Sequence, residues 1–372
     1  RVLNVSLLEP VRPGRALTLS IDRRVQYLAY RELKAATQKF QAKSAAAVVL
    51  DVRTGEVLAM VSQQGFNPNN RLGSGPGQWR NRAIADALEP GSTIKPFTVA
   101  AALEAGVIRP DSVFNCGYKY YPVGNARVRD DHPHGMLNVE QIIQYSSNIG
   151  ATQIALKTPP ERFYQLLSES GFGQISDTGV PGESPGHLPA HQGWGLAERA
   201  TLSFGYGLSA TALQLAASYA PFANGGIYIR PTLMRVAEPE SVRGKRVMQA
   251  QTSAVLRKML ESVVTQHGTG NAAAIPGYRV AGKTGTAHKA AAGGYAQNSY
   301  VSSFIGFAPA SNPRLLMVVM INEPRGQYYG GLVAAPVFRQ VMGGSLRLLN
   351  IAPDALPRVM AEGAPPVAQG KT

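Results

Sequence analysis

With 372 residues, 44% of them hydrophobic and 16% charged, the chain can bury one large core or two modest ones and is no candidate for intrinsic disorder. A formal charge of +14 points to anionic partners such as nucleic acid, a phospholipid surface or cell-wall polymer. The basic residues are scattered without a Lys/Arg block or a nucleic-acid motif, and the single Cys116 excludes both an internal disulfide and a cysteine-rich metal site.

Taken in chain order, residues 1–15 read as a linker or the end of an earlier module. No run approaches the roughly 18 apolar residues of a membrane span. The chain starts at Arg1 rather than Met, which leaves room for a signal or anchor upstream. In "LTLSIDRRVQYLAYRELKAATQKF", Asp22 is a plausible N-cap and Val25, Leu28, Ala29, Leu33 and Ala36 recur at helical spacing. "SAAAVVLDVRTGEVLAMVS" predicts two strands turning at Arg53-Thr54-Gly55. Residues 66–82 form a polar, Gly-rich loop. Helical patterns then dominate 93–220, with loops at 110–135 and 177–195.

Three strands follow, "RVAGKTGTA", "SYVSSFIGFAP" and "RLLMVVMINEP", on short connections and hence antiparallel. A helix, "APVFRQVMGGSLRLLN", would cover them, and 353–372 reads as a flexible tail. The expected class is α+β: one antiparallel sheet built from both chain ends, flanked by helices, with a helical subdomain inserted between them.

The stretch "GYRVAGKTGTAHK" fits two chemistries. Gly277, Gly282, Lys283 and Thr284 match GxxxxGK[ST], the phosphate-binding loop, while Lys283-Thr284-Gly285 is the KTG triplet of serine acyl-transfer sites. A phosphate loop needs a buried strand before it and a helix after it. "HGTGNAAAIP" before and "GTAHKAAAGGYAQ" after supply neither.

The acyl-transfer reading needs a nucleophile, and "EPGSTIKPFTVAAALEAG" provides one. Ser92 and Lys95 are three residues apart at the start of an Ala-rich helix, on one face. Pro96 is tolerated in a first turn, and the helix N-terminus favours an oxyanion beside Ser92. Taken alone, an N-cap serine followed by a solvated lysine is the better explanation of this stretch. "VEQIIQYSSNIGATQIALK" then places Ser146-Ser147-Asn148 between two helical segments. SxxK, SxN and KTG in that order, at domain-sized intervals, form the set of β-lactamases and penicillin-binding proteins.

"RNRAIADALEPGSTIKPF", "SSNIG", "FGYGLSATALQLA", "GYRVAGKTGTA" and "FIGFAPA" resemble the transpeptidase domain of class B penicillin-binding proteins, in particular the division-specific branch, penicillin-binding protein 3. The resemblance covers about residues 16–352. It implies a periplasmic D,D-transpeptidase of septal cell-wall synthesis that acts on D-Ala-D-Ala stem peptides, is acylated by β-lactams and needs no cofactor or metal. Expected partners are a cell-wall glycosyltransferase and division proteins, and the full-length protein would be anchored in the inner membrane. Residues 1–15 would then be the end of a pedestal.

Ser92 should attack the substrate carbonyl. Lys95 is the candidate base and has to be neutral, which burial beside Lys283 favours. Ser146 can relay the proton, Asn148 can bond the substrate amide and steady Lys95, and Lys283 can supply positive charge. By resemblance, Thr284 and Thr286 flank Gly285 as carboxylate ligands, and the Ser92 and Thr286 amides form the oxyanion hole. Tyr300, Tyr328 and Tyr329 are implied as aromatic walls, though ordinary half-buried aromatics fit them equally. His132 and His134 read as surface loop, and His288 follows the KTG strand. A class A β-lactamase would show ExxLN, absent after Glu161, Glu169, Glu183 and Glu198. A D,D-carboxypeptidase and a β-lactam sensor domain share the three motifs and stay open.

Overall fold

The computed structural model describes residues 12–67, 69, 75–291 and 294–355. Helix α1, Arg23–Lys39, starts where expected, with the Asp22 carboxylate accepting the Arg24 and Val25 amides. Its apolar stripe, Val25, Ala29, Leu33 and Ala36, is buried. Strands β1 (Ser44–Asp51) and β2 (Val57–Gln63) form the hairpin, with Asp51 accepting the Arg53 amide at 2.8 Å. At the turn, Gly55 has φ +75° and lies so close to the Arg230 carbonyl that a Cβ would stand 2.6 Å from its oxygen.

The chain returns to this sheet near its other end. Strands β3 (Ala281–Ala291), β4 (Gly294–Ala308) and β5 (Leu315–Asn322) complete it in the order β2-β1-β5-β4-β3, antiparallel throughout. Central β5 is buried at every residue, whereas edge strand β2 alternates between buried and half-exposed. The hairpin of β3 and β4 reaches further than expected: β4 starts at Gly294 rather than near Tyr300, and pairing is interrupted between Tyr295 and Tyr300. The polar residues there carry no alternation that would have signalled the extension.

Between the sheet-forming ends lie α2 (Lys95–Glu104), α3 (Val139–Tyr145), α4 (Asn148–Lys157), α5 (Pro160–Glu169), α6 (Leu196–Ser203), α7 (Ala212–Ala223) and α8 (Ala250–Ser262). The 110–135 loop also holds two short ladders, Val113–Asn115 with Met136–Asn138 and Tyr121–Val123 with Ala126–Val128. Helix α9, Ala335–Leu348, packs with α1 on one sheet face over Ala47, Val49, Met317 and Val319. The opposite face, with Val48, Leu50, Ile305 and Val318, packs against Phe97, Ile142, Leu213 and Tyr219 of the helical part. That helical core centres on Phe97, edge-on to Phe172, Tyr219 and Phe222 at 4.9–5.4 Å.

Residues 12–15 adopt neither helix nor strand, and 1–11 lie outside the described residues. The expected tail begins docked rather than loose. Asp354 accepts the Arg279 and Ser311 amides at 2.7 and 3.0 Å, and the Ala355 amide donates to Gly277 at 3.0 Å. Residues 356–372 lie outside the described residues.

Candidate active site

Ser92 sits in a 3-10 turn, Gly91–Ile94, and α2 begins only at Lys95. This differs from the expected first α-helical turn but brings positions i and i+3 into closer eclipse. The Lys95 amide donates to the Ser92 carbonyl, and Pro96 falls in the opening turn of α2, where no amide is missed. From below, the buried Tyr219 hydroxyl donates to the Thr93 carbonyl, anchoring the turn to the aromatic core. Gly91 takes φ +57° and donates its amide to Gly205 at 3.1 Å. Ser92 is half-buried.

The polar triplet separates α3 from α4. Ser146 caps α3 in the left-handed region, φ 62°, which is uncommon for a residue with a side chain. That conformation turns both its carbonyl and its hydroxyl onto Lys95. The Lys95 ammonium nitrogen donates to the Ser146 carbonyl, to Ser146 Oγ at 3.1 Å and to Asn148 Oδ1 at 2.7 Å. Lys283 Nζ reaches the same Ser146 Oγ at 2.9 Å from β3. One hydroxyl thus joins the two lysines, which are both fully buried. Burial pushes the Lys95 amine down to about 7, against the pull of Asp130, Asp131 and the Cys116 side chain. Burial and then the Lys95 charge hold Lys283 well below the ordinary lysine range. In this resting arrangement the Lys95 Nζ donors go to Ser146 and Asn148, and among the described residues no hydrogen bond links Lys95 Nζ to the Ser92 hydroxyl.

The KTG triplet lies on β3, the free edge of the sheet, and no helix follows Lys283, so a phosphate loop is not formed. Gly285 packs against the Ser92 turn: a Cβ there would stand 2.2 Å from Ser303 Oγ and 2.9 Å from the Pro90 carbonyl oxygen. The His288 amide donates to the Tyr206 hydroxyl at 2.9 Å, away from β4. Thr284 and Thr286 share that parity, so their amides also face the open edge beside the Ser92 turn. The threonine hydroxyls are engaged, Thr284 with Thr269 Oγ1 at 2.8 Å and Thr286 accepting the Gly330 amide at 3.0 Å.

The three tyrosines come together. Tyr300 stacks on Tyr328 at 4.1 Å, Tyr328 leans on Tyr329 at 4.6 Å, and His288 leans on Tyr300 at 4.6 Å. The Tyr328 carbonyl accepts the Ser302 hydroxyl, and Ser302 is the cross-strand partner of Thr286, which fixes this wall beside the KTG strand. His134 stacks on Tyr145 at 5.4 Å.

Several residues at the site escaped the sequence reading. Thr269 and Tyr206 contact Thr284 and His288, and Glu89 accepts the Gly207 amide at 2.8 Å and the Tyr295 hydroxyl at 3.2 Å. Burial raises the Glu89 carboxyl above its usual range. Asp130 binds the SxN turn from 17 residues away. Only Glu89 and Tyr206 lay within the stretches that carried the resemblance; Thr269 and Asp130 had no local signal.

The Ser92 turn, an SxN turn and a KTG edge strand meeting between a sheet and a helical subdomain are the arrangement of a serine acyl-transfer site of the penicillin-recognising kind. The family model described as "Penicillin binding protein transpeptidase domain" matches residues 45–343, and the chain belongs to that family. The chain is similar to the probable peptidoglycan D,D-transpeptidase PenA of Neisseria flavescens, 42% identical over 91% of this chain and 84% of that one. It is 46% identical to the peptidoglycan D,D-transpeptidase FtsI of Escherichia coli (strain K12) over 91% of this chain and 57% of FtsI. Against FtsI, therefore, it spans little more than half the length. Among solved structures, the transpeptidase domain of Burkholderia pseudomallei penicillin-binding protein 3 in its apo form superposes with a TM-score of 0.84 at 41% identity, covering 93% of this chain and all of that one.

Proposed function

We propose that this chain cross-links peptidoglycan stem peptides as a D,D-transpeptidase, through an acyl-enzyme on Ser92. The observation that carries the reading is the shared Ser146 hydroxyl between two buried lysines, next to a serine turn packed on the KTG strand. Lys95, with its amine near 7, spends part of its time neutral at physiological pH and can take the Ser92 proton once substrate displaces it from its resting acceptors. Ser92 Oγ then bonds to the penultimate D-Ala carbonyl carbon, and the oxyanion is received by edge amides of Ser92 and Thr286. The proton passes through Ser146 to the departing D-Ala amine, and a second stem peptide's amine releases the acyl group. Lys283 tunes the Ser146 hydroxyl, Asn148 bonds the substrate amide, and Thr284 and Thr286 with the Gly285 backbone hold the terminal carboxylate. Tyr300, Tyr328 and Tyr329 line the cleft rim.

Residues 16–352 form the catalytic domain in this reading, preceded by the end of a pedestal. The similarity to FtsI supports a septal role at the periplasmic face of the inner membrane, with a cell-wall glycosyltransferase and division proteins as partners. Among the described residues no helix is long and apolar enough to cross a membrane. The test is intact-protein mass spectrometry with a penicillin. One acyl group per chain is expected, mapped to the Ser92 peptide, persisting for many minutes and absent from Ser92→Ala. Labelling at Ser146, or rapid loss with accumulating hydrolysed drug, would overturn the assignment.

A further inference from the structure

We propose that Asp130 is a positioning residue of the acyl-transfer site: its carboxylate clamps the Ser146-Ser147-Asn148 turn and holds Lys95 where it can serve Ser92. The inference rests on the function proposed above. Asp130 lies in the loop between the ladder strands ending at Val128 and starting at Met136, far from the triplet in sequence, yet its carboxylate makes two hydrogen bonds to it and a third to the residue that follows it. Oδ2 accepts the Ser147 hydroxyl, while Oδ1 accepts the Asn148 amide and, at 3.0 Å, the Ile149 amide. Ser147 Oγ in turn accepts the Gly150 amide at 2.9 Å. The first amides of α4 are thus all taken, two by Asp130 directly and one through a serine that Asp130 orients. A carboxylate at this end also meets the positive pole of the helix.

An ordinary N-cap would need only Ser147. The extra clamp coincides with two features that serve Lys95. Arg129, adjacent to Asp130, accepts Asn148 Nδ2 on its carbonyl at 3.0 Å, which leaves Asn148 Oδ1 aimed at Lys95. Ser146 is held in the left-handed region between the last turn of α3, through the Ser147 amide bonded to the Ile142 carbonyl at 3.0 Å, and the Asp130 clamp on the other side. Releasing the clamp lets Ser146 relax to an unstrained conformation, and its carbonyl and hydroxyl then leave Lys95. The charged and titratable groups facing Lys95 are Asp130 and Asp131 from this loop, Cys116 behind Ser147, and Lys283 from β3. Asp130 therefore sets both the place and the electrostatic surroundings of Lys95.

The experiment follows the second-order rate of acylation by a fluorescent penicillin between about pH 5.5 and 10, with melting temperature measured alongside, for wild type and Asp130→Asn. The amide keeps the size and the Oδ1 acceptor but removes the charge. The acid limb is expected to move down by about one pH unit, as loss of an opposite charge disfavours protonated Lys95. The plateau is expected to fall roughly tenfold as the turn loosens. An acid limb that stays in place overturns the proposal, whatever the melting temperature does. If Asp130→Asn does not fold, Asp130→Glu is measured: charge kept and reach lengthened should leave the limb in place and lower the plateau, and an unchanged plateau overturns it. A wild type that is not acylated at Ser92 would instead refute the function itself.

Discussion

Replacing Lys95 by Met tests whether a fully buried amine near 7 is built into the fold. An unfolded lysine titrates near 10.5, the folded one about 7, so between those values the unfolded chain binds more protons. Stability therefore rises with pH through that window, by about 1.4 kcal/mol per pH unit at most. Between about pH 7.5 and 9.5 this single group should add about 2.5 kcal/mol to the wild type and nothing to Lys95→Met. The Met variant also leaves Asn148 Oδ1 and the Ser146 carbonyl without their donor, but that cost does not vary with pH and only offsets the gap. Lys283 is held low first by burial, which both proteins keep, and then by the Lys95 charge, which is mostly gone above about pH 7.5 in the wild type too, so its contribution largely cancels. Urea unfolding of both proteins at the two pH values supplies the gap. A gap that changes by less than about 0.5 kcal/mol would show that Lys95 is an ordinary ammonium in the native state, fully compensated by its oxygens and by Asp130 and Asp131, and no ready base.

Lys95→Arg keeps the charge but cannot deprotonate, so its acylation should be nearly as slow as that of Ser92→Ala; a rate near wild type removes Lys95 as the base. Lys283→Ala should slow acylation by roughly a hundredfold or more, and ATP with magnesium should leave the wild-type melting temperature unmoved; an ATP-dependent rise lost in the variant would restore the phosphate-loop reading. Gly285→Ala forces a methyl onto Ser303 Oγ and the Pro90 carbonyl, so urea denaturation should report a loss of about 1–3 kcal/mol, and unchanged stability and acylation would refute the close packing. Tyr328→Ala removes the stack on Tyr300 and should weaken binding of penicillins with bulky side chains by up to about tenfold while sparing the limiting acylation rate; equal affinity would take the tyrosines out of the cleft.

What the sequence disclosed and what it hid follow from the range of the signals. Asp22, the stripe on α1 and the turn at Arg53-Thr54-Gly55 are local, and each marked its element within a residue or two. The partition of the sheet between both chain ends was readable because β5 and β1 are apolar runs buried on both faces. Ser92, Lys95, Ser146, Asn148 and Lys283 stand out in the sequence because three short patterns occur in one order, and the fold brings Lys95, Ser146, Asn148 and Lys283 into one hydrogen-bonded group. The 3-10 turn at Ser92 was not visible, since SxxK fits either helix type. Asp130 and Thr269 act across loops where neither periodicity nor spacing carries information. The long tip of the β3 and β4 hairpin is polar and pairs irregularly, so no alternation announced it.

Around the Ser92 turn and the KTG strand beside it, main chain approaches main chain closely at several points. A methyl on Gly205 would stand 2.0 Å from the Gly91 carbonyl oxygen, and one on Gly330 would stand 2.3 Å from the carbonyl oxygens of Gly285 and Ser303. With the contact of Gly285 on Pro90, five separate stretches of chain, the Ser92 turn among them, meet backbone to backbone here. Such a contact has no side chain to trim, so a substitution can only add bulk, and added bulk breaks it. Heritable tuning of this cleft is thereby channelled outward, to the tyrosine wall, the hairpin tip with Tyr295, and the loop that carries Asp130, where atoms can be exchanged without moving Ser92.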